Sequence, residues 1–202
     1  MGIDMDEVNL ALAREAAQVG GLTNVVFRTE NVNDWNEPEA YDLVFCRYLL
    51  QHLSRPLDLL QKMWAAVRPG GTIVVEDADF DGQFCHPPND GSAFWARAYP
   101  SVLESHGGDP AVGRKLFGLF LAAGIPRPSM RVVQRADVDG EAKTVPLLTI
   151  DATADAMVAD GIASEDEVAA ARTSLAGFTK DLTTVIGAPR VFQLWSRFES
   201  HS

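Results

Sequence analysis

Residues 41–81, YDLVFCRYLLQHLSRPLDLLQKMWAAVRPGGTIVVEDADFD, contain two short and nearly continuous apolar runs with a helix-forming stretch between them. Strands that lack polar alternation are those whose sheet is covered by helices on both faces. The spacing predicts a buried strand over Tyr41–Cys46 and a second over Thr72–Val75. Between them a helix opens at Ser54-Arg55-Pro56, carries Leu57, Leu60, Trp64 and Val67 as one apolar stripe, and stops at Pro69-Gly70-Gly71. This is one strand–helix–strand unit of a parallel sheet. Ligands of such sheets sit outside the carboxyl ends of the strands, here Cys46-Arg47 and Glu76-Asp77-Ala78-Asp79.

The flanks extend the same alternation. Gly2-Ile3-Asp4 reads as the tail of a strand. A helix follows, capped by Asp6, with Val8, Ala11, Leu12, Ala16 and Val19 inward and Gly20-Gly21 at its end. Asn24–Phe27 is a short strand, and 31–39 is a polar loop. The fold class is therefore α/β, a Rossmann-like doubly wound and mostly parallel sheet. Beyond Asp81 the prolines of Phe84-Cys85-His86-Pro87-Pro88 predict a rigid loop, and a helix over 92–106 is expected to kink or split at Pro100. Asp109-Pro110 opens another helix with Val112, Leu116, Leu119 and Ala123 inward, and Met130–Arg135 is a strand. Asp151 caps a short helix to Asp160. Ser164-Glu165-Asp166-Glu167 is a capping box opening a helix with Val168, Ala171, Leu175 and Phe178 inward. Arg190–Phe198 is a terminal strand. Residues 140–188 are too long for a simple crossover and read as a helical C-terminal insert or lid, leaving 1–139 and 189–202 as the α/β domain.

A net charge of −11 and the lack of any Lys/Arg-rich run argue against a nucleic-acid partner. The first residues, MGIDMDEV, lack the basic and apolar regions of a signal peptide, and no apolar run approaches membrane-spanning length, so the chain reads as cytoplasmic with no membrane partner. Two cysteines, Cys46 and Cys85, are too few for a disulfide framework or a zinc site, and no cluster has metal-ligand spacing.

A carboxylate at the end of an early strand, as at Asp4, can hold a ribose diol, or it can simply cap the next helix. Asn31-Val32 could read an adenine edge. GIDMDEVNLALAREAA, VVFRTENVNDW, YDLVFCRYLLQHLSRP and VRPGGTIVVED, in this order, resemble the class I S-adenosylmethionine-dependent methyltransferases of the small-molecule branch. The resemblance runs through about residues 2–80 and more loosely beyond. It implies S-adenosylmethionine as cofactor and methyl transfer to a small-molecule acceptor. It also implies a cofactor cleft at Asp4, Met5, Asn31, Val32, Cys46 and Arg47. His52 would line the substrate side. Phe80, Phe84, Trp95 and Tyr99 could wall an aromatic or apolar substrate pocket, though helical spacing in the last two favours core packing. His86, in the loop after the acidic strand end, is the expected base, with Asp79 orienting it; a histidine pinned beside prolines is the alternative.

The family's glycine-rich loop, which follows its first strand, has no counterpart here. In that fold the missing strand lies between the Ile3 and Tyr41 strands, so its loss leaves open sheet edges. The expectation is a piece of a longer enzyme; a fragment without catalysis, or a gap filled by another segment or subunit such as a homodimer partner, are the alternatives. A catalytically inactive binding or oligomerisation module is thus the second reading. A nicotinamide-dependent reductase is the third, but it predicts Tyr-x-x-x-Lys, and Tyr41, Tyr48 and Tyr99 each lack a Lys four residues on.

Overall fold

The computed structural model describes residues 1–199. Its first half contains β1 (Gly2–Asp4), α1 (Glu7–Val19), β2 (Phe27–Thr29), β3 (Tyr41–Arg47), α2 (Pro56–Ala66) and β4 (Val67–Asp79). Next come β5 (Phe84–His86), α3 (Asp90–Ser105), α4 (Val112–Ala122), β6 (Ser129–Val133) and β7 (Ala136–Asp137). The chain closes with α5 (Val145–Ala159), α6 (Glu165–Lys180), β8 (Val185–Gly187) and β9 (Arg190–Arg197). Single 3-10 turns lie at Leu50–His52 and Glu141–Thr144.

The main sheet has the order β3-β4-β9-β6. β3 pairs with β4 in parallel, from Leu43 opposite Thr72 to Arg47 opposite Glu76. β9 runs antiparallel to both β4 and β6, so β3, β4 and β6 share one direction and β9 opposes them. β4 is longer than the expected Thr72–Val75, because Pro69-Gly70-Gly71 lies within the strand instead of ending the helix. A Cβ on Gly71 would come within 2.8 Å of the Asp42 carbonyl oxygen, and the register shifts there between Tyr41 and Leu43. The glycine lets β4 bend past β3 while staying paired.

Helices α2 and α4 bury Leu59, Leu60, Met63, Val112, Leu116 and Phe120 against this sheet. On α2 the buried arc is Leu59, Leu60, Met63 and Ala66, rotated from the expected stripe because the helix also packs on α4. Trp64 instead stacks on Phe198 at 5.0 Å. On α4 the expected Val112 and Leu116 are buried, joined by Phe120.

A second core joins α3, α5 and α6 through residues such as Trp95, Ala98, Ile150, Met157 and Leu175. The capping box is complete, since Ser164 Oγ accepts from Glu167 N (3.3 Å) while the Glu167 carboxylate accepts from Ser164 N (2.8 Å). All four expected inward residues of α6 are buried. α3 continues through Pro100 as one helix instead of splitting, and α5 begins at Val145, well before Asp151. Phe84–His86, expected as loop, is a strand in a small sheet ordered β5-β8-β7.

β1 and β2 pair only with each other, in parallel, over three residues each. The two strands are too short to cover a helix. The whole stripe expected on α1, Val8, Ala11, Leu12, Ala16 and Val19, is exposed, and Leu10 and Ala17 on the opposite face are buried instead.

Candidate functional site at the carboxyl ends of β3 and β4

Two cavities meet at Arg47 and Tyr48, where β3 ends. The first, about 670 Å³, is a groove between β1 and β3; Ile3, Asp4, Val32, Leu43, Phe45 and Cys46 are in its wall. The second, about 620 Å³, lies between the main sheet and the helical unit, with Gln51, His52, Phe80, Trp95 and Tyr99 in its lining.

Asp77 fixes the junction. Its carboxylate is fully buried at the end of β4 and accepts hydrogen bonds from Leu50 N (2.8 Å), Gln51 N (3.3 Å) and Ala78 N (2.9 Å). These bonds clamp the turn after β3, where Tyr48 sits at φ 52°, onto the neighbouring strand. Burial pushes the Asp77 carboxyl up to about 6, against the opposing pull of those backbone N–H groups. Sequence reading located the acidic strand end but gave Asp77 no role. Alternation along β4 turns it toward the buried side, a signal that becomes readable only once the strand is known to reach Asp79.

Around the second cavity the side chains form an aromatic cluster. The Phe80 ring meets Trp95 edge-on at 6.1 Å and Tyr99 at 5.2 Å. Burial raises the Tyr99 phenol, with the charge of Asp77 adding to it. Burial lowers the His52 imidazole, and its Nε2 lies 3.3 Å from Gln51 Nε2. At the mouth, Arg47 lies over the Tyr48 ring and 3.4 Å from Glu76, and Arg135 pairs with Asp137 at 2.7 Å.

The residues singled out from sequence divide sharply. Asp4, Val32, Cys46 and Arg47 line the groove, and Arg47, His52, Trp95 and Tyr99 line the second cavity. Asp4 Oδ1 accepts from Asp6 N at 2.9 Å. Burial, with the Asp77 charge behind it, pushes the Cys46 thiol up, so it stays protonated. Met5 is 72% exposed and, like Asn31, absent from the groove wall; Asn31 Oδ1 closes a local turn by accepting from Asn33 N at 2.9 Å.

The catalytic pair expected at His86 and Asp79 is not assembled. His86 lies exposed on β5, in the wall of neither cavity, because Phe84–His86 pairs with β8 and is drawn away from the end of β4. The Phe84 ring packs over Gly187 and likewise leaves the cleft. Asp79 is 99% buried, held by Arg114 at 2.5 Å and Arg190 at 3.4 Å, which makes it a tie between β4, α4 and β9. Tyr48, Gln51 and Asp77, which sequence reading did not assign to the site, occupy the junction instead.

A largely co-directional sheet flanked by helices, with its clefts at the strand carboxyl ends, defines an α/β fold of the nucleotide-cleft type. Residues 1–108 match the family model described as "Methyltransferase domain", and the chain belongs to that family. It is 32% identical over 75 residues to the ubiquinone biosynthesis O-methyltransferase of Acinetobacter baumannii, a match covering 36% of this chain. The chain spans about a third (32%) of that relative's length. Among solved structures, a Bacillus halodurans protein with a provisional methyltransferase assignment aligns over 98% of this chain and 82% of its own, at TM-score 0.61 and 14% identity. The Haemonchus contortus phosphoethanolamine N-methyltransferase 2, solved with phosphomonomethylethanolamine and S-adenosylhomocysteine, aligns at TM-score 0.55 and 11% identity, over 99% of this chain and 43% of that one.

Proposed function

We propose that this chain transfers a methyl group from S-adenosylmethionine to a small-molecule acceptor. The observation that carries this reading is the convergence of two cavities on Arg47 and Tyr48: one bears an acid beside an apolar wall, and the other is an aromatic pocket beneath helices.

The nucleoside half of the donor fits the groove. Asp4 at the end of β1 offers a carboxylate to the ribose hydroxyls, and Val32 offers an apolar surface to the base. Arg47 is the one cationic side chain in the groove's wall among the described residues, and the aminoacyl carboxylate would turn to it. When bound, S-adenosylmethionine supplies an electrophilic methyl on a sulfonium, whose thioether leaves without protonation. The protein's task is then mainly to hold the acceptor in line and exclude water, which the buried aromatic cluster suits. We assign the acceptor's proton to His52, which lines the second cavity and whose imidazole is kept neutral to a lower pH than usual by partial desolvation. The net charge of −11 supports a reading without a nucleic-acid partner; no helix among the described residues is long and apolar enough to cross a membrane.

Calorimetric titration with S-adenosylhomocysteine tests the donor site directly. Saturable binding is expected, weakened roughly 10- to 100-fold in Asp4→Ala by loss of charge-assisted hydrogen bonds. Absence of heat at millimolar ligand overturns the reading.

The free edges of β1 and β3, with Leu43 and Phe45 exposed between them, favour a second reading as an association module, as a homodimer for instance. Light scattering across a concentration series decides it: a monomer throughout removes self-association.

A further inference from the structure

Tyr48 stands in an unfavourable backbone conformation that brings its side chain to the place where the two cavities meet. Its φ is 52°, in the left-handed region where Cβ crowds the following carbonyl, and an aromatic residue there is a steric outlier. Glycine would occupy the position without that strain. The other such non-glycine residue, Glu39, lines neither cavity. Neighbouring structure imposes the conformation: Tyr48 N donates to the Glu76 carbonyl oxygen at 2.9 Å, and Asp77 holds the N–H groups of Leu50 and Gln51 just beyond. Core packing does not account for the tyrosine, which is 40% exposed. Its position does, because among the described residues Tyr48 and Arg47 are the two that line both the groove and the second cavity.

The Tyr48 ring already holds a cation. The Arg47 guanidinium carbon lies 4.7 Å from the ring centroid, and Arg47 Nη2 donates to the Tyr48 hydroxyl at 3.3 Å. The negative face of an aromatic ring attracts positive charge within about 6 Å of its centre. Arg47 is free to leave that face, since its side chain is 53% exposed and its ion pair with Glu76 spans 3.4 Å. With Asp4 on the ribose and Arg47 on the aminoacyl carboxylate, the sulfonium lies between those two ends, and the methyl it carries must cross to the second cavity. Arg47 and Tyr48 border that crossing. Of the two, the arginine repels a sulfonium and the ring attracts it.

We propose that Tyr48 recognises the sulfonium: its strained backbone presents the ring at the crossing, and the face that holds Arg47 in the free protein takes the donor's positive charge once Arg47 turns to the aminoacyl carboxylate. The ring thereby distinguishes the charged donor from its neutral product, S-adenosylhomocysteine, and favours exchange of one for the other. The inference rests on the methyl-transfer reading for the ligand and adds the residue that senses its charge.

The test is calorimetric titration of the full chain and its Tyr48 variants with S-adenosylmethionine and with S-adenosylhomocysteine. Tyr48→Leu is expected to weaken S-adenosylmethionine about fivefold while leaving S-adenosylhomocysteine within about twofold of wild type. Tyr48→Phe keeps the ring and is expected to keep the wild-type ratio of the two affinities. Tyr48→Asn removes the ring but suits the left-handed region; it should lose the ratio as Tyr48→Leu does, while raising the thermal unfolding midpoint by about 2–4 °C. A residue kept for structure would do the opposite. Equal weakening of both ligands in Tyr48→Leu, a changed ratio in Tyr48→Phe, or a midpoint that falls in Tyr48→Asn overturns the proposal. Where Tyr48→Leu fails to fold, Tyr48→Asn decides the ratio. S-adenosylhomocysteine binding with a ratio that no variant moves overturns this inference and leaves the methyl-transfer reading standing; binding of neither ligand overturns both.

Discussion

The main sheet and the β1–β2 ribbon each have helices beside them, yet they cover those helices unequally. In the main sheet, four strands offer enough width for α2 and α4 to bury Leu60, Leu116 and Phe120 completely. Beside the ribbon, α1 turns Leu10 and Ala17 inward and leaves Val8, Leu12 and Val19, on its opposite face, in solvent. On α1, therefore, the neighbouring element and not the apolar stripe decides which side of the helix is covered, whereas on α4 the two agree. The open groove beside the ribbon lines up with the end of the main sheet, which is why the candidate donor site lies between the two regions.

Truncation separates the two regions most strongly. Phe120→Ala is expected to cost about 3–5 kcal/mol in urea denaturation, as for a fully buried ring that leaves a cavity. Leu12→Ala on the exposed face of α1 is expected to stay within about 0.5 kcal/mol. Comparable losses for both would mean that α1 is covered in solution and the contrast is wrong.

Asp77 gives the next largest effect, at the boundary between the regions. Asp77→Ala leaves the N–H groups of Leu50, Gln51 and Ala78 without their acceptor and is expected to cost about 2–3 kcal/mol. Its titration has an unusual sign. The carboxyl sits near 6 when folded against 3.8 as reference, so between those values the folded state binds the extra proton. Stability from this group is present below pH about 4 and declines as pH rises to about 6, by roughly 3 kcal/mol at most. The stability of the wild type relative to Asp77→Asn should fall across that window in thermal unfolding, and a difference that stays flat or rises would refute the burial argument.

A smaller effect tests how tightly the closed side is built. Gly113 on α4 crosses β4 so closely that a Cβ would lie 2.7 Å from the Ala78 carbonyl oxygen. Gly113→Ala should therefore cost about 1–3 kcal/mol even though alanine favours helix. Denaturation shows whether the strain or the propensity wins.

How much was legible in the chain follows the same division. The cores of β3 and β4, α4, α6 with its capping box and the terminal strand could be read because local pattern and tertiary burial agree there; α2 was legible as a helix but not in its buried face, which packing on α4 turns. Trp95 and Tyr99 carried core spacing and also reached the cavity, since α3 faces both the second core and the site. His86 and Phe84 read as a rigid loop beside the site because of two adjacent prolines, whereas pairing with β8, about a hundred residues later, withdraws them from the cleft. Asp79 looked like a strand-end acid available for chemistry. The arginines that occupy it, Arg114 and Arg190, come from α4 and β9, and no local pattern announces such a tie.

The smallest expected effect sharpens the comparison most finely, because it applies one device in both regions. Asp6 caps α1 by accepting from Val8 N at 2.8 Å, and Ser164 caps α6 through its reciprocal pair with Glu167. Each cap is worth about 1 kcal/mol to its own helix. α6 is locked into the second core through Leu175 and Phe178, so it unfolds with the rest, and Ser164→Ala should lower global stability by about that amount. α1 buries only Leu10 and Ala17 and can open while the main sheet stays folded. Asp6→Ala should therefore change global denaturation by less than about 0.5 kcal/mol while speeding amide hydrogen exchange several-fold within α1 alone. Exchange that quickens equally in β4 and α4 would show that the ribbon and the main sheet open as one unit, and that the groove between them is braced more firmly than its strand pairing implies.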